Sequence, residues 1–248
     1  AQDTTRYGED LYGRAELSRL LRELCRLDFK WIRLLYCYPE RITDELIDVI
    51  AKEDKIVKYI DIPIQHVNEN ILKRMNRSGN EQTIRELIGK LRYKIPDIVI
   101  RTTLIAGFPG ETDEQFEQLA EFVMDMRFER LGCFSYSAEE GTPAAEFENQ
   151  VELKVREHRA DIIMDQQLTV MDDINSSQIG KDIEVVVEGF DRYAECYFGR
   201  SYADAPEIDG KIFFDSNNKL NTGQFVTVHI DDVLDYDLIG AVADESAE

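Results

Sequence analysis

A chain of 248 residues with 43% hydrophobic content can bury one large core and a second small one. Its 50 acidic residues against 29 Lys and Arg leave a net charge of -21, which repels a phosphate backbone and suits either a basic partner or plain solubility. No apolar run of about 18 residues exists to span a membrane, and Cys25, Cys37, Cys133 and Cys196 lie scattered without a C-x-x-C pair, as expected of free thiols in the cytoplasm and not of a disulfide framework or a metal cluster.

The chain opens without an initiator Met on AQDTTRYG, which reads as the polar end of a strand running into a turn, so sequence upstream of it is expected. Leu17, Leu20, Leu21, Leu24 and Leu27 then recur at helical spacing, and WIRLLY (31–36) predicts a strand ending at Tyr38-Pro39. Thr43 can cap a helix through Leu46, Ile47, Val49 and Ile50, and VKYIDIP (57–63) follows as a strand. Ile84, Leu87, Ile88 and Leu91 mark a further helix, and IVIRTTLIA (98–106) a strand that breaks at Gly107-Phe108-Pro109-Gly110. Thr112 and Gln115 form a T-x-x-Q capping box for the next helix, and LGCFSYS (131–137) supplies a fourth strand. Such alternation implies a parallel sheet with right-handed crossovers, whose chemistry gathers at the carboxyl ends of its strands.

A long helix over 151–177 is expected to close this first domain, residues 1–177. From 178 to 248 the period changes to short strands, 183–188, 194–199, 211–214, 225–230 and 234–242, joined by Gly, Asn and Asp turns, which suggests a small barrel. These last residues hold 16 acidic and 5 basic side chains, a net charge of -11.

Four constellations are candidates for chemistry. GFPGET (107–112) joins a buried strand to a capped helix, where the backbone can approach a phosphate or carboxylate; a sharp structural bend explains it equally well. Arg101 offers a fork of donors to a carboxylate, or forms a buried ion pair. Gln65-His66 closes a strand at its carboxyl end and can bind ligand hydroxyls, although a lone histidine there is more often a structural hydrogen-bonder. Tyr36, Tyr38, Phe134 and Tyr136 end strands and can form an aromatic wall, or pack against helices.

AQDTTRYG, YCYP, IDIPIQH followed by ILKRMNR, RTTLIAGFPGET and YSAEEGTPAA, in that order, closely resemble the methylthiotransferase branch of the radical S-adenosylmethionine enzymes. GRSYADAPEIDG (199–210) and YDLIG (236–240) resemble the TRAM domain that these enzymes carry at the carboxyl end. The resemblance implies an α/β fold, a partial (β/α)6 radical-SAM barrel followed by a five-stranded, OB-like TRAM barrel. WIRLLY, VKYIDIP, IVIRTTLIA and LGCFSYS would be strands three to six, and Gln2-Asp3 the end of strand two. It also implies S-adenosylmethionine as cofactor, with two 4Fe-4S clusters in the full-length parent whose cysteine ligands are absent from this chain. Gln2, Asp3, Gln65, His66, Arg101 and Gly107 would line the S-adenosylmethionine pocket, with Phe134 and Tyr136 at its last wall; no metal ligand is assigned to this chain.

Within that branch the AQD start, the IQH ending and the acidic tail resemble the enzyme that modifies the β-carbon of an aspartate in the twelfth ribosomal protein of the small subunit. The partner implied is that basic protein or the ribosome, and the parent a cytoplasmic monomer. A tRNA (adenosine) methylthiotransferase is the first alternative, disfavoured because a TRAM domain acting on tRNA needs a positive face. A non-enzymatic acidic module binding basic ribosomal segments is the second. A four-strand remnant with open edges is expected to be poorly soluble and, lacking cluster cysteines, inactive alone.

Overall fold

The computed structural model describes residues 2–243, so Ala1 of the AQD motif lies outside the described residues. The elements are α1 Glu9–Tyr12, α2 Leu17–Cys25, β1 Ile32–Leu34, α3 Asp44–Lys52, β2 Ile56–Asp61, α4 Glu69–Arg74, α5 Glu81–Lys94, β3 Val99–Ala106, α6 Asp113–Met126 and β4 Arg130–Ser135; apart from the short α1 and α4, they alternate as the apolar spacing predicts. The four strands form one sheet in the order β1-β2-β3-β4, every neighbouring pair parallel. That is the partial barrel the sequence implies.

Period-two alternation sorts β3 into two faces. Ile100, Thr102, Leu104 and Ala106 are fully buried, the apolar ones joining the core built with Ile50, Ile60, Leu91, Leu119 and Phe122; each fully buried aliphatic side chain contributes about 2 kcal/mol. Arg101, Thr103 and Ile105 face the other way and are only half-buried. The register sets Asp61 beside Arg101 and Ile105 beside Phe134, so this second face carries the polar groups and an exposed aromatic ring.

The helices start where their caps are. Thr43 accepts from Leu46 N, and Thr112 and Gln115 form the expected reciprocal box at the start of α6. Helix α4 has no counterpart among the expected elements. Asn68 caps it, accepting from Asn70 N and Ile71 N, and only Ile71 and Leu72 are buried, too few positions to show a helical period. Strand β1 is shorter than the expected 31–36 because Tyr36 leaves the extended region, with φ +58°.

Helix α7 runs over Leu153–Ser176, and β5 Asp182–Asp191, β6 Cys196–Arg200, β7 Ile212–Asp215, β8 Phe225–Leu234 and β9 Asp237–Val242 follow. These five strands close into a barrel in the order β5-β6-β7-β9-β8, antiparallel except for β7 with β9. Val185, Val187, Ile212, Phe214, Val228, Ile230 and Leu238 fill it. Gly240 is obligatory there, since a Cβ would stand 1.9 Å from the His229 carbonyl oxygen. The expected strand over 234–242 is instead the end of β8, a turn at Asp235-Tyr236 with Asp235 at φ +52°, and β9. Two compact units, Ala1–Gln167 and Leu168–Glu248, divide within α7, upstream of the boundary expected after Ser177, because the end of the helix belongs with the barrel: Asn175 Nδ2 lies 3.5 Å from the Asp235 carbonyl oxygen.

Candidate functional site

Around the carboxyl ends of β1 and β2, Tyr36, Asp61 and Arg101 form one bonded set, with Asp3 and Gln65 on the adjoining segments. Asp61, at the last position of β2, sets its Oδ1 3.1 Å from Arg101 Nη1 and accepts from Tyr36 N at Oδ2, 3.0 Å. A carboxylate this deeply buried is tolerable because both oxygens are satisfied, one by a cation. Arg101 also donates to Thr103 Oγ1 at 3.3 Å, so it stands as half of an ion pair facing along the polar side of the sheet.

The segment before α1 docks on β1: Thr4 N donates to the Tyr36 carbonyl at 2.9 Å and Thr4 Oγ1 to the Leu35 carbonyl at 2.6 Å. This places Gln2, which is exposed, and Asp3 at the same end of the sheet. Asp3 caps a short 3-10 turn through Oδ1, accepting from the backbone N and hydroxyl of Thr5, while Oδ2 lies 3.5 Å from Arg41 Nε with no hydrogen bond. Gln65 continues the line from β2. It pairs with Leu104, sits at φ +66°, and leaves Oε1 buried without a hydrogen-bond partner. A left-handed backbone and an unsatisfied buried acceptor in one residue make Gln65 the candidate ligand contact here.

His66 is fully buried. Its Nδ1 accepts from Val67 N and Asn68 N, both at 2.9 Å, which puts the proton of the neutral ring on Nε2, 3.4 Å from Glu111 Oε2 but poorly aligned for a hydrogen bond. Glu111 organises the GFPGET loop. Its Oε2 accepts from Gly107 N at 2.9 Å and its Oε1 from Arg159 Nη1 at 2.7 Å, while Arg159 Nη2 reaches Asp113 at 2.5 Å. Gly110 N is likewise taken by the Asn149 carbonyl at 2.8 Å. The loop's inward amides therefore meet the protein's own carboxylate and carbonyl. Gly107 has φ +73°, and a Cβ there would stand 2.2 Å from Arg156 Cγ, so a close arginine requires the glycine.

At the other side of the sheet Phe134 is 61% exposed, whereas Tyr136 is buried against Phe108 in an edge-to-face contact at 5.2 Å. Burial pushes the Tyr136 phenol up, and its hydroxyl has no hydrogen-bond partner. A cavity of about 470 Å³ lies elsewhere in this unit, lined by Thr5, Arg14, Glu16, Arg22, Arg41 and Glu45 among others and by none of the expected pocket residues.

Asp61 and Glu111 escaped the sequence reading. Asp61 left a signal, a carboxylate inside the apolar run VKYIDIP, and Glu111 was visible only as part of GFPGET. The thiols do not fit an iron–sulfur cluster. Among the described residues no group of three or more Cys, His, Asp or Glu is arranged to hold a metal ion. Burial, assisted by nearby carboxylates, pushes Cys37 and Cys133 up to about 12, the reverse of what a thiolate ligand needs. S-Adenosylmethionine fits better, since Gln65 Oε1 has no hydrogen-bond partner and Asp3 Oδ2 only an ion pair with Arg41, leaving both able to meet its amino and hydroxyl groups.

Residues 7–123 match the Radical SAM superfamily and residues 179–243 the TRAM domain. A protein of Caldanaerobacter subterraneus subsp. tengcongensis named ribosomal protein uS12 methylthiotransferase RimO is 52% identical over 97% of this chain and 55% of its own length. A Clostridium tetani protein of the same name is 47% identical over 100% of the chain and 56% of its own. The chain thus spans about half the length of the curated relatives it matches. Among solved structures, coproporphyrinogen III oxidase (HemN) from Escherichia coli, described as a radical SAM enzyme, superposes with a TM-score of 0.50 at 20% identity, covering 64% of this chain and 37% of that one, a likeness of fold alone. With both domains matched in order and about half of all positions shared with those relatives, the chain belongs to the radical SAM methylthiotransferase family that carries a TRAM domain.

Proposed function

We propose that the protein to which this chain contributes is a methylthiotransferase that places a methylthio group on the β-carbon of an aspartate in the basic ribosomal protein uS12, acting as a monomer in the cytoplasm. The observation that carries this reading is identity of 47–52% across both domains to proteins named for that activity. Charge supports it independently. The barrel segment, at -11, attracts a basic protein and repels tRNA, whose phosphates a binder must neutralise.

In this reading residues 1–177 are the carboxyl-terminal part of the radical SAM domain and 178–248 the TRAM domain. S-Adenosylmethionine, when bound, supplies the radical precursor and the methyl group. Gln65 Oε1 and Asp3 Oδ2 accept hydrogen bonds from it, Gln2 closes over it, and Arg101 holds charge at the pocket floor. Gly107 lines the pocket beside Arg156, and Phe134 and Tyr136 form its last wall. His66, whose Nε2 has no hydrogen-bond partner, belongs to the same cofactor-binding set. Cluster ligation falls to residues outside this chain, and no step is assigned to the four cysteines.

The test is reconstitution of the full-length protein with iron, sulfide, a reductant and S-adenosylmethionine, followed by mass analysis of uS12 and of tRNA. Gain of a methylthio group by uS12 alone is the expected result. Gain by tRNA alone would favour the nucleic-acid reading, and tight uS12 binding with no gain in either would favour a non-enzymatic acidic module.

A further inference from the structure

Tyr36 is held in a conformation that its side chain disfavours. At φ +58° it occupies the left-handed region, which a bulky residue enters only when its surroundings impose it. Those surroundings are explicit. Its N–H donates to Asp61 Oδ2 at 3.0 Å, and Asp61, 2% exposed, is itself fixed by Arg101. Its carbonyl accepts from Thr4 N at 2.9 Å, the preceding Leu35 carbonyl from Thr4 Oγ1, and the next N–H, of Cys37, is bound to the Asp61 carbonyl at 2.9 Å. Three consecutive residues are thus pinned by two neighbouring segments. The pinning does not serve packing of the ring, which is 47% exposed and whose hydroxyl has no partner among the described residues. An over-determined backbone that presents an unpacked aromatic ring at the carboxyl end of a parallel strand is the arrangement of a contact surface, because ordering a flat, rigid side chain in advance lowers the entropic cost of binding.

We propose that Tyr36 is a specificity-determining residue that contacts the peptide segment bearing the target aspartate, and that Asp61 is the positioning residue which holds it. The proposal rests on the methylthiotransferase reading above. A protein substrate is the occupant favoured because the Tyr36 ring stands exposed at the end of β1 and the chain's net charge of -21 suits a basic peptide. A tyrosine ring also suits a basic peptide, offering its face to Lys or Arg side chains.

The experiment uses the full-length protein and titrates two probes separately, a synthetic uS12 peptide containing the target aspartate and S-adenosylmethionine. Tyr36→Asn removes the ring but keeps a residue that enters the left-handed region readily. The expected result is peptide affinity weaker by about tenfold, as for loss of an aromatic anchor, S-adenosylmethionine affinity unchanged, and Tm equal to or above that of the parent because the strain is relieved. Tyr36→Phe should restore peptide affinity to within about twofold of the parent, since the ring face is kept. Asp61→Asn should weaken peptide binding in the parent yet add nothing on top of Tyr36→Asn; should it fail to fold, Thr4→Val, which loses one clamp bond, replaces it. Unchanged peptide affinity in Tyr36→Asn, or a loss confined to S-adenosylmethionine, overturns the proposal. Were the parent itself to neither bind nor methylthiolate the peptide, the functional reading would fall first, and the two failures stay distinct.

Discussion

At the scale of the residue, Glu111 and Asp61 each gather several groups that sequence spacing treats as separate. Glu111 ties Gly107, Arg159 and the environment of His66 into one buried unit. Its replacement by Gln leaves the Arg159 guanidinium without a countercharge at that contact, and destabilisation of about 3 kcal/mol is expected, read from the denaturant midpoint. The cysteines give a second prediction. Cys37 and Cys133 sit at about 12 when folded, above the ordinary thiol value, so the folded state retains protons that the unfolded chain releases. Their contribution to stability is complete below that ordinary value and is lost as pH climbs toward 12; stability measured between pH 8 and 10.5 should fall with pH, less steeply in a Cys37→Ala, Cys133→Ala variant. The same burial predicts alkylation of Cys37 only after unfolding, while half-buried Cys25 and Cys196 react sooner, as timed alkylation with mass analysis would record. Gln65 and His66 were legible as polar groups at a strand end and Arg101 as a charge within a strand. Their partners were not, because residue type tells what a side chain can bond and only the folded chain decides which of its options is taken: His66 Nδ1 takes the amides of Val67 and Asn68, and Arg101 pairs with Asp61.

At the scale of the element, amphipathic spacing and caps carried most of the information. Thr43 and the Thr112–Gln115 box stand where the sequence indicates, and Thr112→Ala should cost about 1 kcal/mol of stability, checked by chemical denaturation. Short elements were harder to read. Helix α4 rests on one capping asparagine and two buried side chains, and β1 ends early because the Asp61 and Thr4 bonds take Tyr36 out of the strand. A tertiary constraint of that kind leaves no periodic trace. The hairpin between β8 and β9 was absorbed into a single expected strand for a related reason, since Asp235 at φ +52° makes the turn without a glycine to announce it.

At the scale of the molecule, alternation of helix and strand declared the parallel sheet, and the change of period after α7 declared the barrel. Among the described residues the sheet ends at β1 and β4, each with one strand neighbour, and its polar face carries the exposed Phe134. Open edges of this kind template further pairing, so this chain alone is expected to self-associate in sedimentation experiments, while the longer protein stays monodisperse. The charge of -21 has its own consequence: affinity for a basic partner should decline as ionic strength shortens the Debye length to about 8 Å at 0.15 M. The proposed function is modification of a basic ribosomal protein by the full-length enzyme. The most direct measurement is the mass of the uS12 aspartate peptide after incubation with the reconstituted full-length protein and S-adenosylmethionine, beside a tRNA control. One methylthio group on that aspartate and none on tRNA is the expected result; an unmodified peptide in a preparation with intact clusters, or a methylthio group on tRNA instead, would overturn the proposed function.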